Sequence, residues 1–358
     1  MKIALLNLPF DNNYGGNLQR YALVKTLEKL GHEVVHIDLE EYYSLKWYVK
    51  PYSYIKRTLQ KVILKKNVYV FYEQKVNKQN EEKNRFARVF YNKYIIHTKK
   101  FTSKKEVSKC VNTGFAAVIV GSDQVWRESM TKQIGIESYF LSVLNNPSTK
   151  RIAYAVSMGT DEERFPDEMI NRLGILYSCF DAVSVREAFS LNVLKEYGWN
   201  VPEAVLTLDP TLLLDADDYS KLYQINQKEK KGSDIFCYLL DRPTDFEDRI
   251  KEKCYQYKAN YRILSLNDVV PIEEWIKSIA EAQLVITDSY HGCVFSIIYR
   301  KPFVFLGNKR RGNARVASLL ETLGINKDKT EQIDYDVVSQ RINELKMESI
   351  SFLSNSLK

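Results

Sequence analysis

Short apolar runs alternate along this chain with longer stretches of helical spacing, the pattern of buried parallel strands joined by crossover helices. Residues 2–8 read as a first strand, followed by the glycine-containing loop Asn12-Asn13-Tyr14-Gly15-Gly16-Asn17 and a helix over 18–30 that Gly31 ends. A strand over 33–39 follows. Beyond residue 109 the alternation resumes, with strands over 115–121, 150–157 and 182–185. A second block places strands at 235–239, 261–264, 284–287 and 302–306, with helices over about 245–257 and 272–282. Between the blocks, the apolar run at 207–214 gives way to a polar stretch over 215–232, which sets the expected boundary. The expected fold class is α/β: two Rossmann-like domains facing each other across a cleft, residues 1–214 and 215–358, the first carrying a helical insertion at about 46–109.

At 358 residues, length alone favours two domains. A hydrophobic content of 45% with 27% charged residues supplies a core, and no apolar run approaches the roughly 20 residues that cross a bilayer. The first residues suit a buried strand better than a signal sequence, so a cytoplasmic protein is expected. Five scattered cysteines without a CxxC spacing indicate neither a disulfide framework nor a zinc site. The formal charge of +7 is unevenly spread: residues 46–109 hold 18 Lys or Arg against four Asp or Glu, which leaves the rest acidic. The same segment is rich in tyrosine and phenylalanine. That mixture suits an anionic surface, or else a solvated helical face whose aromatics pack inward. No nucleic-acid motif accompanies it, so the expected partner is an anionic membrane touched peripherally at its inner face, with no nucleic acid.

Candidate chemistry gathers where strands end and helices begin, the place where open α/β sheets bind ligands. His291, after the strand at 284–287 and beside Gly292, is a candidate anion ligand or proton donor, with Asp288 and Ser289 adjoining it. Gly15, Gly16 and Asn17 form a candidate substrate loop, which lacks the G-x-G-x-x-G spacing of a dinucleotide site. In Gly121-Ser-Asp-Gln-Val-Trp126, Asp123 is a candidate base and Trp126 a candidate face for a sugar ring; the alternative is a helix cap with a core tryptophan. Arg186 emerges after the strand at 182–185 and suits phosphate or carboxylate, or a surface pair with Glu187. Lys309, Arg311 and Arg315 occupy a glycine-flanked basic loop after the strand at 302–306. Nothing comparable supports a metal site or a Ser-His-Asp triad.

Read in order, Tyr-Gly-Gly-Asn-Leu-Gln, Gly-Ser-Asp-Gln-Val-Trp, Ser-Val-Arg-Glu, Leu-Asp-Pro-Thr-Leu-Leu and Thr-Asp-Ser-Tyr-His-Gly resemble the polysaccharide pyruvyl transferase family, from residue 1 to about 325 apart from the basic insertion. The resemblance implies a fold like that of B-type glycosyltransferases and transfer of pyruvate from phosphoenolpyruvate to a sugar, giving a pyruvate ketal on a cell-surface glycan or exopolysaccharide. It implies no cofactor, and a sugar or lipid-linked oligosaccharide as acceptor. The family arginine after the Ser-Val strand matches Arg186, and the histidine of an Arg-Leu-His element matches His291, with Ser289 where that element has its arginine. Phosphoenolpyruvate carries a phosphate and a carboxylate, so Arg186, His291 and the 309–315 loop would hold it, and Asp123 or Asp288 would activate a sugar hydroxyl. The expected acceptor side is the first domain and the donor side the second. Two other readings fit the same residues: a B-type glycosyltransferase using a nucleotide sugar, and a non-catalytic glycan-binding or assembly protein.

Overall fold

Alternate residues of the central strands face two different cores, which is why these strands are apolar throughout. In the computed structural model, which describes residues 1–160, 164–223, 234–241, 246–265, 268–307 and 313–358, the chain begins with β1 (Lys2–Leu6), α1 (Tyr14–Lys29) and β2 (Glu33–His36). The insertion supplies α2 (Lys50–Val62) and α3 (Tyr72–Tyr94), followed by α4 (Lys104–Val111). Next come β3 (Ala117–Asp123), α5 (Ile136–Tyr139), β4 (Lys150–Val156), α6 (Asp167–Tyr177), β5 (Ala182–Val185), α7 (Ala188–Glu196) and β6 (Ala204–Leu206). These six strands form one parallel sheet in the order β2-β1-β3-β4-β5-β6. Ile3 and Leu5 pack on one face of it, and Ala4 and Leu6 on the other.

After a 3-10 turn at Pro210–Leu213 and the short α8 (Ala216–Ser220), the second unit comprises β7 (Ile235–Leu239), α9 (Phe246–Tyr257), β8 (Tyr261–Ser265), α10 (Ile272–Glu281), β9 (Leu284–Thr287), α11 (Tyr290–Ile298), β10 (Phe303–Phe305) and α12 (Ala314–Thr322). Its four strands are also parallel, in the order β10-β9-β7-β8. The two units are not loosely linked. One hydrophobic core runs from Ile3 and Leu5 through Leu212 and Tyr219 to Phe236, Val285 and Phe295. At the junction the Tyr14 ring stacks on Trp275, with centroids 5.5 Å apart, and Val270 donates its N–H to the Tyr14 hydroxyl at 3.1 Å.

Three elements depart from the sequence expectation. The glycine loop is the start of α1: Asn13 caps the helix through its side-chain oxygen on the Gly16 N–H at 3.2 Å, so residues 14–17 are its first turn. The three-residue β6 is too short to leave a periodic signal. A last helix, α13 (Tyr335–Ser356), crosses back to the first sheet, where Leu208 donates its N–H to Ser349 at 3.0 Å and Lys150 reaches the Ser356 carbonyl at 3.2 Å.

Because Leu353 is the fully buried residue near the end of α13, Leu353→Ala is expected to cost about 2–5 kcal/mol of stability, the usual range for a buried leucine truncation. Urea unfolding reads this directly, and an unchanged midpoint would show that the returning helix does not pack as described.

Candidate active site

Each sheet has one point where consecutive strands diverge to opposite sides, and the two points face each other. In the first sheet it lies between β1 and β3, so residues 8–13, the start of α1 and Asp123 all border one crevice. In the second it lies between β7 and β9, where Asp288, Ser289 and the start of α11 emerge. Asp123 ends β3 in the left-handed region, with φ of 64°, a strained conformation that helps aim its carboxylate at the crevice.

Between the two points lies a buried cluster of charges. Arg186 Nη1 donates to Asp209 at 2.7 Å and its Nε to Glu187 at 2.8 Å, while Nη2 lies 3.8 Å from Asp123 with no hydrogen-bond partner among the described residues. Burial disfavours its charge, but Glu187, Tyr290, Asp209 and Asp123 more than offset this and hold the guanidinium firmly protonated. Burial would raise the Asp209 carboxyl, yet Arg186, His291 and two hydrogen bonds from Thr211 hold it below its ordinary value. Gln19 of α1 also donates to Asp209, at 2.5 Å. The Tyr290 ring lies between two guanidiniums, 4.5 Å from Arg186 and 5.9 Å from Arg315.

His291 sits in the first turn of α11, pressed against the first turn of α1. A Cβ on Gly15 would fall 1.9 Å from His291 Nδ1, so only glycine permits this approach. Nε2 lies 3.9 Å from Asp209 and finds no hydrogen-bond partner among the described residues. Burial dominates its titration: the pKa falls from 6.5 to about 4, so the imidazole is neutral at pH 7. The expected ready-made proton donor is therefore a neutral ring in this state.

Two cavities meet at Asp123. The larger, of about 300 Å³, lies on the first-domain side among Pro9, Asp11, Gly16, Arg20, Glu41, Lys83 and Asn84. The smaller, of about 100 Å³, is bounded by Asp288, Ser289, Tyr290, His291 and Arg315 of the second unit and by Gln124. Asn13, Asp123 and Met130 line both.

Several expected roles change. Trp126 is fully buried, stacked on Phe140 at 4.6 Å, and donates its indole N–H to the Tyr139 carbonyl, so it offers no face to a sugar. Asn17 is buried too, donating to the Asp11 and Asn13 carbonyls and accepting from Arg20, which makes it a brace of the α1 turn. Both Asp288 oxygens accept backbone N–H groups, from Leu240 and Asp241 at 2.7 Å each; the side chain closes the β7–β9 divergence and is poorly suited to take a substrate proton. Arg186 is wholly internal, not a surface pair. Lys309 and Arg311 lie outside the described residues, whereas Arg315, in the first turn of α12, lines the small cavity with Ser289 and His291. Asp209, Glu187, Gln19 and Tyr290 carry much of the site without having been singled out. All four lie within the quoted motifs, Glu187 as the possible partner of Arg186, but none was read there as a site residue. No metal-binding group of acidic, histidine and cysteine side chains occurs among the described residues.

The family model for polysaccharide pyruvyl transferase matches residues 13–310, and the chain belongs to that family, a family of enzymes. Comparison with curated proteins gives no match. Similar solved structures include the UDP-GlcNAc 2-epimerase of Methanocaldococcus jannaschii in complex with UDP-GlcNAc and UDP, at 12% identity and a TM-score of 0.49 over 97% of this chain and all of that one. A putative UDP-N-acetylglucosamine 2-epimerase from Listeria monocytogenes matches at 12% identity and 0.48, over 99% of this chain and 90% of that one. An alpha-glucosyltransferase in complex with UDP and DNA matches at 12% and 0.46, over 100% and 95%.

The contact between Gly15 and His291 predicts a double-mutant result. Gly15→Ala alone is expected to cost about 1–3 kcal/mol through overpacking, and almost nothing in a His291→Ala background, where the added methyl meets no ring. Thermal unfolding of the four proteins measures the coupling. Equal costs in both backgrounds would mean that the two helix starts do not touch.

Proposed function

We propose that this member of the polysaccharide pyruvyl transferase family moves a pyruvyl group from phosphoenolpyruvate to two hydroxyls of a sugar in a cell-surface or exopolysaccharide precursor, closing a pyruvate ketal. The observation that carries the reading is the pairing of a small cavity, lined by Arg315 and His291, with a larger polar one at a shared carboxylate. A space of about 100 Å³ suits a three-carbon donor better than a nucleoside diphosphate sugar, since sites for ligands of larger size usually run to about 300–1,000 Å³. Arg315, the first-turn N–H groups of α11 and the His291 ring are the groups to hold the donor's phosphate and carboxylate.

In the reaction, a proton adds to the methylene carbon of phosphoenolpyruvate and C2 becomes electrophilic. One sugar hydroxyl attacks C2 and loses its proton. Phosphate then leaves with its bridging oxygen, and the second hydroxyl closes the ring on C2 and gives up its own proton. Asp123, at the meeting of the cavities, is the base placed to receive a hydroxyl proton. His291 is neutral alone, but a bound anion raises its pKa, and the resulting imidazolium is the proton source for the methylene carbon. Arg186 and Asp209 act through position, holding His291 and Tyr290 in place.

Incubation with phosphoenolpyruvate and a panel of free and lipid-linked sugars tests the reading. A pyruvyl mass increment with release of phosphate supports it. Thermal protection by a nucleoside diphosphate but not by phosphoenolpyruvate would favour the glycosyltransferase alternative, and sugar binding without phosphate release the non-catalytic one. Arg315→Ala and His291→Gln are each expected to weaken donor affinity about 10- to 100-fold, the worth of one charge-assisted contact of about 1.5–3 kcal/mol. Arg186→Ala is the poorer probe, because it strands Glu187 and Asp209 as buried charges and should cost about 3–5 kcal/mol of stability.

Donor binding should also take up protons. The free ring titrates near pH 4 and the bound one higher, so affinity rises as pH falls through the pKa of the complex and levels off once pH drops below that of the free ring. Calorimetry near pH 7 in buffers of different ionisation enthalpy is expected to show more proton uptake for the parent than for His291→Gln. The same uptake in both would remove His291 from the donor site.

A further inference from the structure

The helix α2 is built inside out. A surface helix ordinarily turns its apolar stripe toward the protein and its charges toward water. Here the inward side holds Arg57, which donates to both Glu73 oxygens at 2.7 and 2.9 Å, and Tyr54, packed on Phe71 at 5.2 Å. None of the helix residues is buried. The helix residues Tyr52, Ile55 and Leu59, with Ile63 at its C-cap, line an open groove of about 400 Å³, with exposures from 49% at Leu59 to 68% at Tyr52. Trp47, just before the helix, is 82% exposed. Exposed lysines frame this face: Lys46 before the helix, Lys56 at the groove, and Lys65 and Lys66 after it. Between residues 42 and 72 there is no acidic residue at all.

We propose that α2 with Trp47 is an interfacial anchor that inserts its apolar face among the headgroups of an anionic bilayer. Charge complementarity selects this occupant. A second copy of the chain would bring the same set of lysines against itself, whereas an anionic headgroup layer neutralises them while the aromatic and aliphatic side chains leave water. Tryptophan and tyrosine beside an apolar helix face are the side chains that favour this depth. The anchor is also mechanically coupled to the cleft. The α3 residue that pins α2, Glu73, lies seven residues from Asn80, or about 10 Å of helix, and Asn80, Lys83 and Asn84 line the larger cavity. Farther along, Arg88 of α3 is tied to Asp38 at 2.6 Å, and Phe90 and Tyr91 are in the core, so α3 transmits the docked orientation rigidly. The inference does not depend on which donor the cleft takes.

Co-sedimentation of the whole protein with vesicles tests it. Phosphatidylcholine vesicles containing phosphatidylglycerol are expected to bind the protein at low salt, phosphatidylcholine alone at least about tenfold less. Binding should weaken as salt shortens the Debye length to about 8 Å and below. The exposed replacements Ile55→Ser, Leu59→Ser and Ile63→Ser together, or Lys56→Gln, Lys65→Gln and Lys66→Gln together, should each reduce binding about tenfold or more without lowering the melting temperature. Arg57 is left unchanged because it tethers the helix. Insertion has its own signature: Trp126, Trp199 and Trp275 are buried, so a blue shift of tryptophan emission on adding vesicles reports Trp47 and should vanish in Trp47→Phe. No binding at low salt, equal binding to neutral vesicles, or binding untouched by the serine replacements would overturn the proposal. So would a dimer in sedimentation velocity that the serine replacements dissociate, which would assign the face to a second copy.

Discussion

The carboxylate of Asp209 is where the structure is tied together. It accepts from Gln19 on α1, from Arg186 after β5 and from Thr211 in its own turn, and it faces the imidazole of His291 on α11. A guanidinium at the depth of Arg186 would be costly without such partners, because desolvation opposes its charge. Once Arg186 is fixed, the Tyr290 ring has a cationic face to rest on, and the first turn of α11 is held toward α1. Gly15 then follows as a steric necessity: the two helix starts can meet at this distance only where one residue lacks a side chain. The shape of the cleft thus follows from one buried ion network at the junction of two sheets.

That junction also explains the division of labour between the cavities. Each strand divergence opens a crevice, and the two are closed differently. In the second unit Asp288 spans it by accepting two backbone N–H groups, leaving a small space lined by Ser289, His291 and Arg315. In the first the wall is supplied partly by α3, which brings amide and lysine side chains to a larger space.

The sheets were largely legible because a strand buried on both faces is apolar at most positions, a signal that survives at 182–185, 235–239 and 284–287 with boundaries matching β5, β7 and β9, where the buried Ser184 and Thr287 are hydrogen-bonded. The site was legible only where one residue both sits at a strand end and bears distinctive chemistry, as with His291, Arg186 and Asp123. Partnerships were not. Gln19 and Asp209 stand 190 residues apart and Gly15 and His291 farther still, so nothing local marks them as neighbours. Trp126 was misassigned because a tryptophan after a strand reads alike whether it faces a cleft or the helical layer behind it. The amphipathicity of α2 is visible in the spacing of its residues, but which side faces out is decided by Arg57 and Glu73, and that no periodicity reveals.

The charge balance of the cluster gives His291 its meaning. Among the described residues, Arg186 and Arg315 stand against Asp123, Glu187 and Asp209, so the carboxylates outnumber the guanidiniums before any ligand arrives. Further negative charge cannot enter such a site without compensation, because interactions at this depth are weakly screened. Among the described residues, the neutral imidazole is a group in direct reach that can gain a positive charge at modest cost, its basicity being suppressed mainly by burial rather than by the absence of nearby carboxylates. A histidine held neutral beside an excess of acid is therefore a group whose protonation would offset a negative charge entering the cluster.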